Sequence, residues 1–480
     1  MKKSKKKQKH LISKIVGIIS LLIYVAFSIL LLVLDMVPVK YLTIFFIIFT
    51  FLYLLFLLFI FTKNIKNKFR TVAVVFLVLF GCVFGIGAKY LNDTIGFVDD
   101  INNKLLQKEM YYVMVLDSSK INSIEKLKNN KIGLYNSQNS ESALKKLKEE
   151  INVKYEEYKD VEKMFLDLQD GDISAVLIND SIKTLLESEF ADMNIKLKEI
   201  YNLSISIEKE DVVKIVDVTK KPFNVYVAGG DAFGSISNVT NTDVNMIATV
   251  DPINKKVLLT SIPRDYYVNL PSFGKNAYDK LTHAGYYGIE ESIKAIENLL
   301  DIDINYYVKV NFSTVVGVID AIGGVDVYSD FYFCVEGNIS TCYKKGYNHL
   351  NGERALTFAR ERHSFKDGDI QRVKNQQKVI EAVMNKVTKS TAIITNYSDI
   401  LDGVSSNFST NMDSRSINKL IKMQLNDMRM WEIENQNLVG TDYNTSVYTF
   451  PNQELYVMKS DAESVSNASE KIDEFMKNAK

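Results

Sequence analysis

The chain has no excess of charge of either sign. Its 480 residues include 58 Lys+Arg and 58 Asp+Glu. That balance argues against broad nucleic-acid binding, which needs a basic surface. No basic helix-turn-helix segment appears, so direct transcriptional control is not the expectation. Arginine is scarce: eight residues in all, against a lysine background that supplies the other fifty cations. Four of the eight, Arg354, Arg360, Arg362 and Arg372, fall within nineteen residues. Where lysine is the default, an arginine marks a place that needs a planar fork of donors, as in gripping phosphate or carboxylate. The competing reading of such a run is a solvated helix face with i,i+4 ion pairs. Cysteine is rare too, with three residues. Cys82 lies in an apolar run, and Cys334 and Cys342 flank a short loop.

Charge is missing altogether from three stretches, 15–34, 41–62 and 71–88. Each is about long enough to cross a bilayer core, which takes roughly twenty apolar residues. Six lysines precede the first stretch and Lys14 adds a seventh, while KNIKNKFR (63–70) carries four basic residues and no acid. Positive flanks stay cytoplasmic, so the basic tail 1–14 and the second loop are expected inside, and everything after about residue 89 outside. In such a compartment Cys334 and Cys342 are expected to pair as a disulfide.

Beyond the spans (15–88), residues 89–108 read as a partly helical stalk. Residues 109–208 alternate strand and helix patterns, which suggests a small parallel-sheet α/β domain. This stretch resembles half of a periplasmic-binding-protein domain. It holds no arginine, no histidine and no metal-like carboxylate set. It is therefore expected to be dispensable for chemistry and to serve placement, for instance by gripping a partner in envelope export. Residues 209–221 form a charged linker. Residues 222–475 read as an α/β sandwich around one central mixed sheet. The overall fold class is thus α/β behind three transmembrane helices.

Within 222–475, Asp231 follows a strand and a glycine pair, and Asp243 opens the next strand. Two carboxylates at strand ends beside arginines suit a hard cation such as Mg2+. Arg264 and Asp265 leave a third strand at SIPRD, where sites are often built. Lys280 and His283 follow in YDKLTHAGYYG, and the histidine is expected to hydrogen-bond a loop rather than act as a base. Apolar helix faces at Ile293 and Ile296, and at Val315 and Ile319, would either line a slot for a lipid or form ordinary core.

The series AGGD, TDVNMIATVD, SIPRD, KLTHAGYYG, VNF, IGGVDV, LNGERALTFARERH and DIQRVKNQQ occurs in this order. It resembles the LytR–CpsA–Psr family of bacterial envelope proteins, and the multi-span start with an accessory domain resembles the capsule-linked branch. The resemblance implies a phosphotransferase that takes a glycan polymer from a polyprenyl-pyrophosphate carrier and joins it to peptidoglycan as a phosphodiester. It implies that Asp231 and Asp243 manage Mg2+ and that Arg264, Arg360, Arg362 and Arg372 clamp the phosphates. Asp369 would be the acid of the same site, Gln376 its amide and Lys280 a neighbouring cation; Arg354 matches no catalytic position and reads as structural. The rival readings are a membrane-anchored attenuator and a glycan-sensing binding protein.

Overall fold

A computed structural model describes residues 2–35, 37–62, 65–103, 106–137, 139–189, 195–208, 214–230, 241–335, 338–366, 368–389 and 408–477. The chain divides into two compact units, one of residues 1–102, 388–402 and 413–430, the other of 103–387, 403–412 and 431–480.

The first unit is built on three apolar helices, α1 (Lys2–Leu34), α2 (Val39–Phe61) and α3 (Asn67–Asn103). Each contains a stretch long and apolar enough to cross a membrane: His10–Leu34, Val39–Phe61 and Asn67–Lys89. They pack through aromatic rings, with Phe27 stacked on Phe84 at 5.1 Å. A buried polar knot ties all three: Ser20 Oγ lies 2.9 Å from Tyr53 Oη and donates to the Leu77 carbonyl at 2.7 Å. Most of the remaining surface of these helices is exposed Leu, Ile, Val and Phe, the pattern of lipid-facing helices. The stalk is helical as far as Asn103, as a continuation of α3.

The second unit begins with a five-stranded sheet: β1 (Leu106–Leu116), β2 (Lys131–Tyr135), β3 (Lys154–Tyr158), β4 (Ala175–Asn179) and β5 (Leu197–Glu208), in the order β3-β2-β4-β1-β5. Helices α4 (Ser140–Glu150), α5 (Val161–Asp170) and α6 (Asp180–Glu189) connect them. The sheet is mixed, which corrects the expected parallel one. β2 runs parallel to β3 and β4, but β1 is antiparallel to β4 and β5. Only the β2–β4 core obeys the strand–helix–strand rule, because β1 enters from the opposite end.

The second sheet has six strands: β6 (Phe223–Gly230), β7 (Val244–Asp251), β8 (Lys256–Ile262), β11 (Tyr306–Asn311), β16 (Phe408–Thr410) and β17 (Glu432–Asn437). Their order is β16-β11-β6-β7-β8-β17, parallel between β11 and β6 and between β17 and β8, antiparallel elsewhere. This is the central mixed sheet expected from the sequence. Strand alternation sends Tyr226, Ala228, Ile247, Leu258 and Ile262 to one face. There α8 (Ile289–Leu300) and α13 (Ala462–Lys477) close a core through Ile293, Ile296, Ala468 and Ile472. Ile293 and Ile296 are 2% and 0% exposed. The slot-lining reading of these two residues is corrected: the apolar face of α8 is consumed by the core. The other sheet face carries Met246, Val257 and Leu259, with Val227, Ala248 and Val250 only partly buried under Ile380 and Met384 of α11 (Gly368–Lys389).

Between these elements lie two short strands, β9 (Tyr267–Asn269) and β10 (Tyr278–Lys280), and the short helix α7 (Leu281–Ala284). α9 (Phe312–Ala321) follows β11, and a capping box of Asn311 and Thr314 starts it. Two hairpin pairs follow, β12 (Val325–Ser329) with β15 (Gly346–Leu350) and β13 (Phe333–Val335) with β14 (Asn338–Tyr343); α10 (Gly352–Arg360) leads into α11. The expected disulfide joins Cys334 on β13 to Cys342 on β14. Helix α12 (Ser414–Asn426) lies between β16 and β17 in sequence, and the hairpin β18 (Gly440–Thr445) with β19 (Leu455–Ser460) precedes α13.

Candidate functional site

One edge of the six-stranded sheet gathers the expected residues. β6, β8, β11 and β17 all end there, and antiparallel β7 begins there: Gly229 pairs with Val244, Gly230 with Asn311 and Ser261 with Asn437. Sites in α/β sheets form outside the carboxyl ends of strands, where loops diverge. The Asp243 amide donates to the Gly229 carbonyl at 2.8 Å, fixing the aspartate beside the strand end. A Cβ on Gly229 would come within 2.8 Å of the Val244 Cβ, so only glycine allows this approach.

The charges alternate. Arg264 Nη1 donates to Asp243 Oδ1 at 2.8 Å, and its Nε lies 3.5 Å from Asp265 Oδ2. Lys280 Nζ lies 3.6 Å from Asp265 Oδ1. Asp265 was singled out in the sequence only as a loop residue, yet it joins the two cations. All four side chains are largely sheltered, with Lys280 and Asp265 at 12% and 15% exposure. Partial burial strengthens such contacts relative to surface pairs.

Arg360 arrives from the other side. Gly352 lets α10 press against α9, since a Cβ there would meet the Val316 carbonyl oxygen at 2.4 Å. The Gly352 amide also donates to Asp320 Oδ1 at 2.7 Å. At the far end of α10 the Arg360 guanidinium sits 4.1 Å from the Phe312 ring centre, on the residue that follows the end of β11. α11 is pinned to the same edge by Gln377, whose amide donates to Ser261 Oγ at 3.0 Å and Asn437 Oδ1 at 2.8 Å. Asn375 Nδ2 bonds the Phe358 carbonyl at 3.2 Å and ties α11 to α10. Arg372 and Gln376 share a helix face of α11 by their i,i+4 spacing, one turn apart beside this anchor. Arg362 lies in the turn between α10 and α11, where its Nε meets His363 Nε2 at 3.0 Å. Arg354 points elsewhere: it donates to the Cys342 carbonyl at 2.7 Å and stacks on Tyr343. Val315 is half-buried on α9, whereas Ile319 is fully buried. Asp231 and the side chain of Asp369 lie outside the described residues.

Below Lys280 is a buried polar network that sequence reasoning missed. Asp279 is 0% exposed. Its Oδ1 accepts from the Lys280 amide at 2.7 Å and lies 2.6 Å from His283 Nδ1. Its Oδ2 accepts from Thr449 N at 2.7 Å and Thr449 Oγ1 at 2.5 Å. Tyr287 Oη bonds Thr449 Oγ1 at 2.9 Å. Burial pushes the Tyr135 hydroxyl up to about 12, so it stays protonated at neutral pH. The accessory sheet is thus seated on the large domain. Tyr135, Tyr158, Ile182 and Leu185 share one apolar cluster with Tyr286, Val447, Phe450 and Val457. The histidine expectation is met in kind: His283 is fully buried and paired with a carboxylate.

Carboxylate oxygens suit Mg2+, and among the described residues the second oxygen of Asp243 accepts no hydrogen bond. Among those residues no three acidic, histidine or cysteine side chains cluster as a metal site.

Cations thus alternate with carboxylates at the carboxyl edge of a mixed sheet in an α/β protein. The LytR_cpsA_psr family model matches residues 189–465, more than half the chain, and the protein belongs to that family. Residues 103–196 match a second family model, NMT1/THI5 like. The chain is 35% identical over 193 residues to a protein of Bacillus anthracis (strain CDC 684 / NRRL 3495) named polyisoprenyl-teichoic acid–peptidoglycan teichoic acid transferase TagU, covering 40% of this chain and 61% of that protein. It is 35% identical over 204 residues to a TagU of the same name from Enterococcus faecalis (strain ATCC 700802 / V583), covering 42% of this chain and 65% of the relative. Less than two thirds of either relative's length is therefore spanned. Among solved structures, B. subtilis TagV matches with a TM-score of 0.45 and 28% identity, over 54% of this chain and 98% of that one. A structure described as TagT bound to LI-WTA matches with a TM-score of 0.43 and 25% identity, over 55% and 94%.

Proposed function

We propose that the protein is a phosphotransferase that moves an anionic glycan polymer from a polyprenyl-pyrophosphate carrier onto peptidoglycan, with its second unit outside the cell membrane. The observation that carries this reading is the sheltered Asp243–Arg264–Asp265–Lys280 chain at the sheet edge, with Arg360 against Phe312 just past the end of β11. Phosphoryl transfer is mostly positioning and charge stabilisation, and forked, pre-ordered guanidinium donors supply both. In the proposed step an acceptor hydroxyl oxygen bonds to the glycan-side phosphorus. The bridging P–O bond breaks, polyprenyl phosphate leaves, and the hydroxyl proton passes to a carboxylate or solvent. The pyrophosphate bond supplies the energy, so no nucleotide is needed.

Arg264, Arg360, Arg362 and Arg372 would neutralise the phosphate oxygens, with Lys280 holding Asp265, and hence Arg264, in place. Gln376 would orient the acceptor side, and Asp369 would serve as the acid. Mg2+, when bound, would be held by Asp231 and Asp243 and would add positive charge at the pyrophosphate. The partly buried sheet face at Val227, Ala248 and Val250, with Val315 of α9 near its end, would take the polyprenyl chain. Teichoic acid, capsule and other anionic glycans all fit this chemistry. The accessory sheet leaves its outer surface for an envelope-export partner.

The test is release of polyprenyl phosphate from a short lipid-linked glycan with peptidoglycan fragments and Mg2+ present. Arg362→Lys keeps the charge and loses the fork, and Asp243→Ala removes the carboxylate that Arg264 Nη1 donates to; each should lose at least tenfold in rate. Near-wild-type rates for both variants would refute the assignment, and binding without release in the wild type would favour a glycan-sensing protein.

A further inference from the structure

Helix α12 has an unusual distribution of burial. Its two buried residues, Ser416 and Gln424, are polar. Its apolar residues Ile417, Leu420, Ile421 and Leu425 are only half-buried. Just beyond its end Met428 and Met430 are 47% and 55% exposed. An amphipathic helix in a water-soluble domain normally buries its apolar stripe. Here the stripe keeps part of its surface exposed, and the methionines beyond it more.

The surroundings of the helix show what covers it. Asn418, Lys422 and Asn426 recur every four residues and so lie on one face. Asn418 Nδ2 donates to the Leu34 carbonyl at 3.2 Å. Lys422 Nζ meets Asp35 Oδ1 at 2.5 Å, and Lys40 Nζ donates to the Asn426 carbonyl at 2.7 Å. Leu34 is the last residue of the first span and Lys40 lies in the first turn of the second. A helix bonded to both of these lies at the depth where the spans leave the hydrocarbon. Arg415 and Lys419 are exposed, as suits a helix lying among headgroups.

We propose that residues 414–430 form an interfacial helix, embedded along one leaflet of the bilayer with Ile417, Leu420, Ile421, Leu425, Met428 and Met430 in the headgroup–acyl boundary. The segment is an insertion between two edge strands of the catalytic sheet. Asn411 and Met412 alone separate β16 from its cap Asp413, and Trp431 alone separates Met430 from β17. The proposal rests on the reading of α1–α3 as membrane spans and not on the transferase reading.

The test uses the full-length protein with Cys82→Ser, which leaves the disulfide as the remaining cysteines, in vesicles of phosphatidylcholine with phosphatidylglycerol. An environment-sensitive fluorophore is placed singly by Met428→Cys, Met430→Cys, Val25→Cys within the first span, and Asp473→Cys on exposed α13. Nitroxide-labelled lipid is the quencher. Shallow nitroxide should quench positions 428 and 430 severalfold more than 473, while deep nitroxide quenches 25. If 25 is quenched but 428 and 430 match 473, the interfacial helix is refuted and the spans stand. If 25 is also unquenched, the spans fail and the proposal falls with them.

Discussion

Replacing Asp279 by asparagine tests how the charged edge of the sheet is held. The carboxylate receives two hydrogen bonds on each oxygen, from the Lys280 amide and His283 on one, and from the Thr449 amide and hydroxyl on the other. Asparagine keeps one acceptor oxygen and puts an NH2 group where the other stood. Whichever way it turns, a backbone N–H, of Lys280 or of Thr449, faces a donor in a site with no access to water. Hydrogen bonds to a charged group are worth about 1.5–3 kcal/mol each, and stranding a buried donor costs a further 1–3 kcal/mol. Loss of one such bond with its donor stranded gives about 2.5–6 kcal/mol, at the upper end of single-substitution effects. The damage should be local to two segments far apart in sequence: β10 with α7, and the 447–450 turn.

Hydrogen exchange by mass spectrometry on the full-length protein in detergent measures this directly. Asp279→Asn should speed exchange of the Lys280 and Thr449 amides together, and transfer should fall at least tenfold because Lys280 no longer meets Asp265 in one geometry. Urea unfolding should show the stability loss. Unchanged exchange at Thr449, with stability within about 0.5 kcal/mol of wild type, would refute the network as the element that holds Lys280.

Two further outcomes follow from the accessory sheet. Glu109 is buried against the side-chain amides of Asn179 and Asn139, and burial outweighs those amides to raise its carboxyl above the usual 4.5. The folded state therefore binds this proton more tightly than the unfolded chain, so the contribution of Glu109 to stability is fully present below pH 4.5 and is lost as pH rises through the raised folded value. Glu109→Gln should flatten that slope in pH-dependent urea unfolding; parallel slopes for the two proteins would count against it. A shortened chain starting near Lys220 should unfold at lower urea and bind more of a hydrophobic dye, because Tyr286, Val447, Phe450 and Val457 lose their cover. An unchanged midpoint would refute this covering role of the accessory sheet.

What the sequence made legible depended on the range of the signal. The spans were readable because lipid imposes one rule on some twenty consecutive residues. α8 and α9 were readable because their periodicity is local, and the disulfide because only two cysteines lie outside the apolar runs. The charge set at the sheet edge was readable because arginine is rare enough here to stand out. Ile293 and Ile296 show the limit: an apolar stripe states that a helix face is covered, not by what. β5 was missed because LKEIYNLSISIE mixes charged and apolar residues, as an edge strand paired along only one side does. Thr449 had no signal at all, since it lies 170 residues from Asp279 and a threonine in a turn looks like any other.

The seat of the accessory sheet is the step that joins these observations. In an α/β sheet the carboxyl ends of the parallel strands are where a ligand is usually received. In this protein Tyr135 at the end of β2 and Tyr158 at the end of β3 instead meet Tyr286 and Phe450 of the large domain. Asp160, just past β3, accepts from Asn452 Nδ2 at 2.5 Å. The surface that a binding domain would offer to a small molecule is packed against the turn that carries Tyr286 and the turn that carries Val447 and Phe450. Tyr286 and Phe450, which share the apolar cluster of the accessory sheet, also pack their rings against His283, the partner of Asp279. A domain without arginine or histidine of its own in this way shares a core with the segments that flank Lys280.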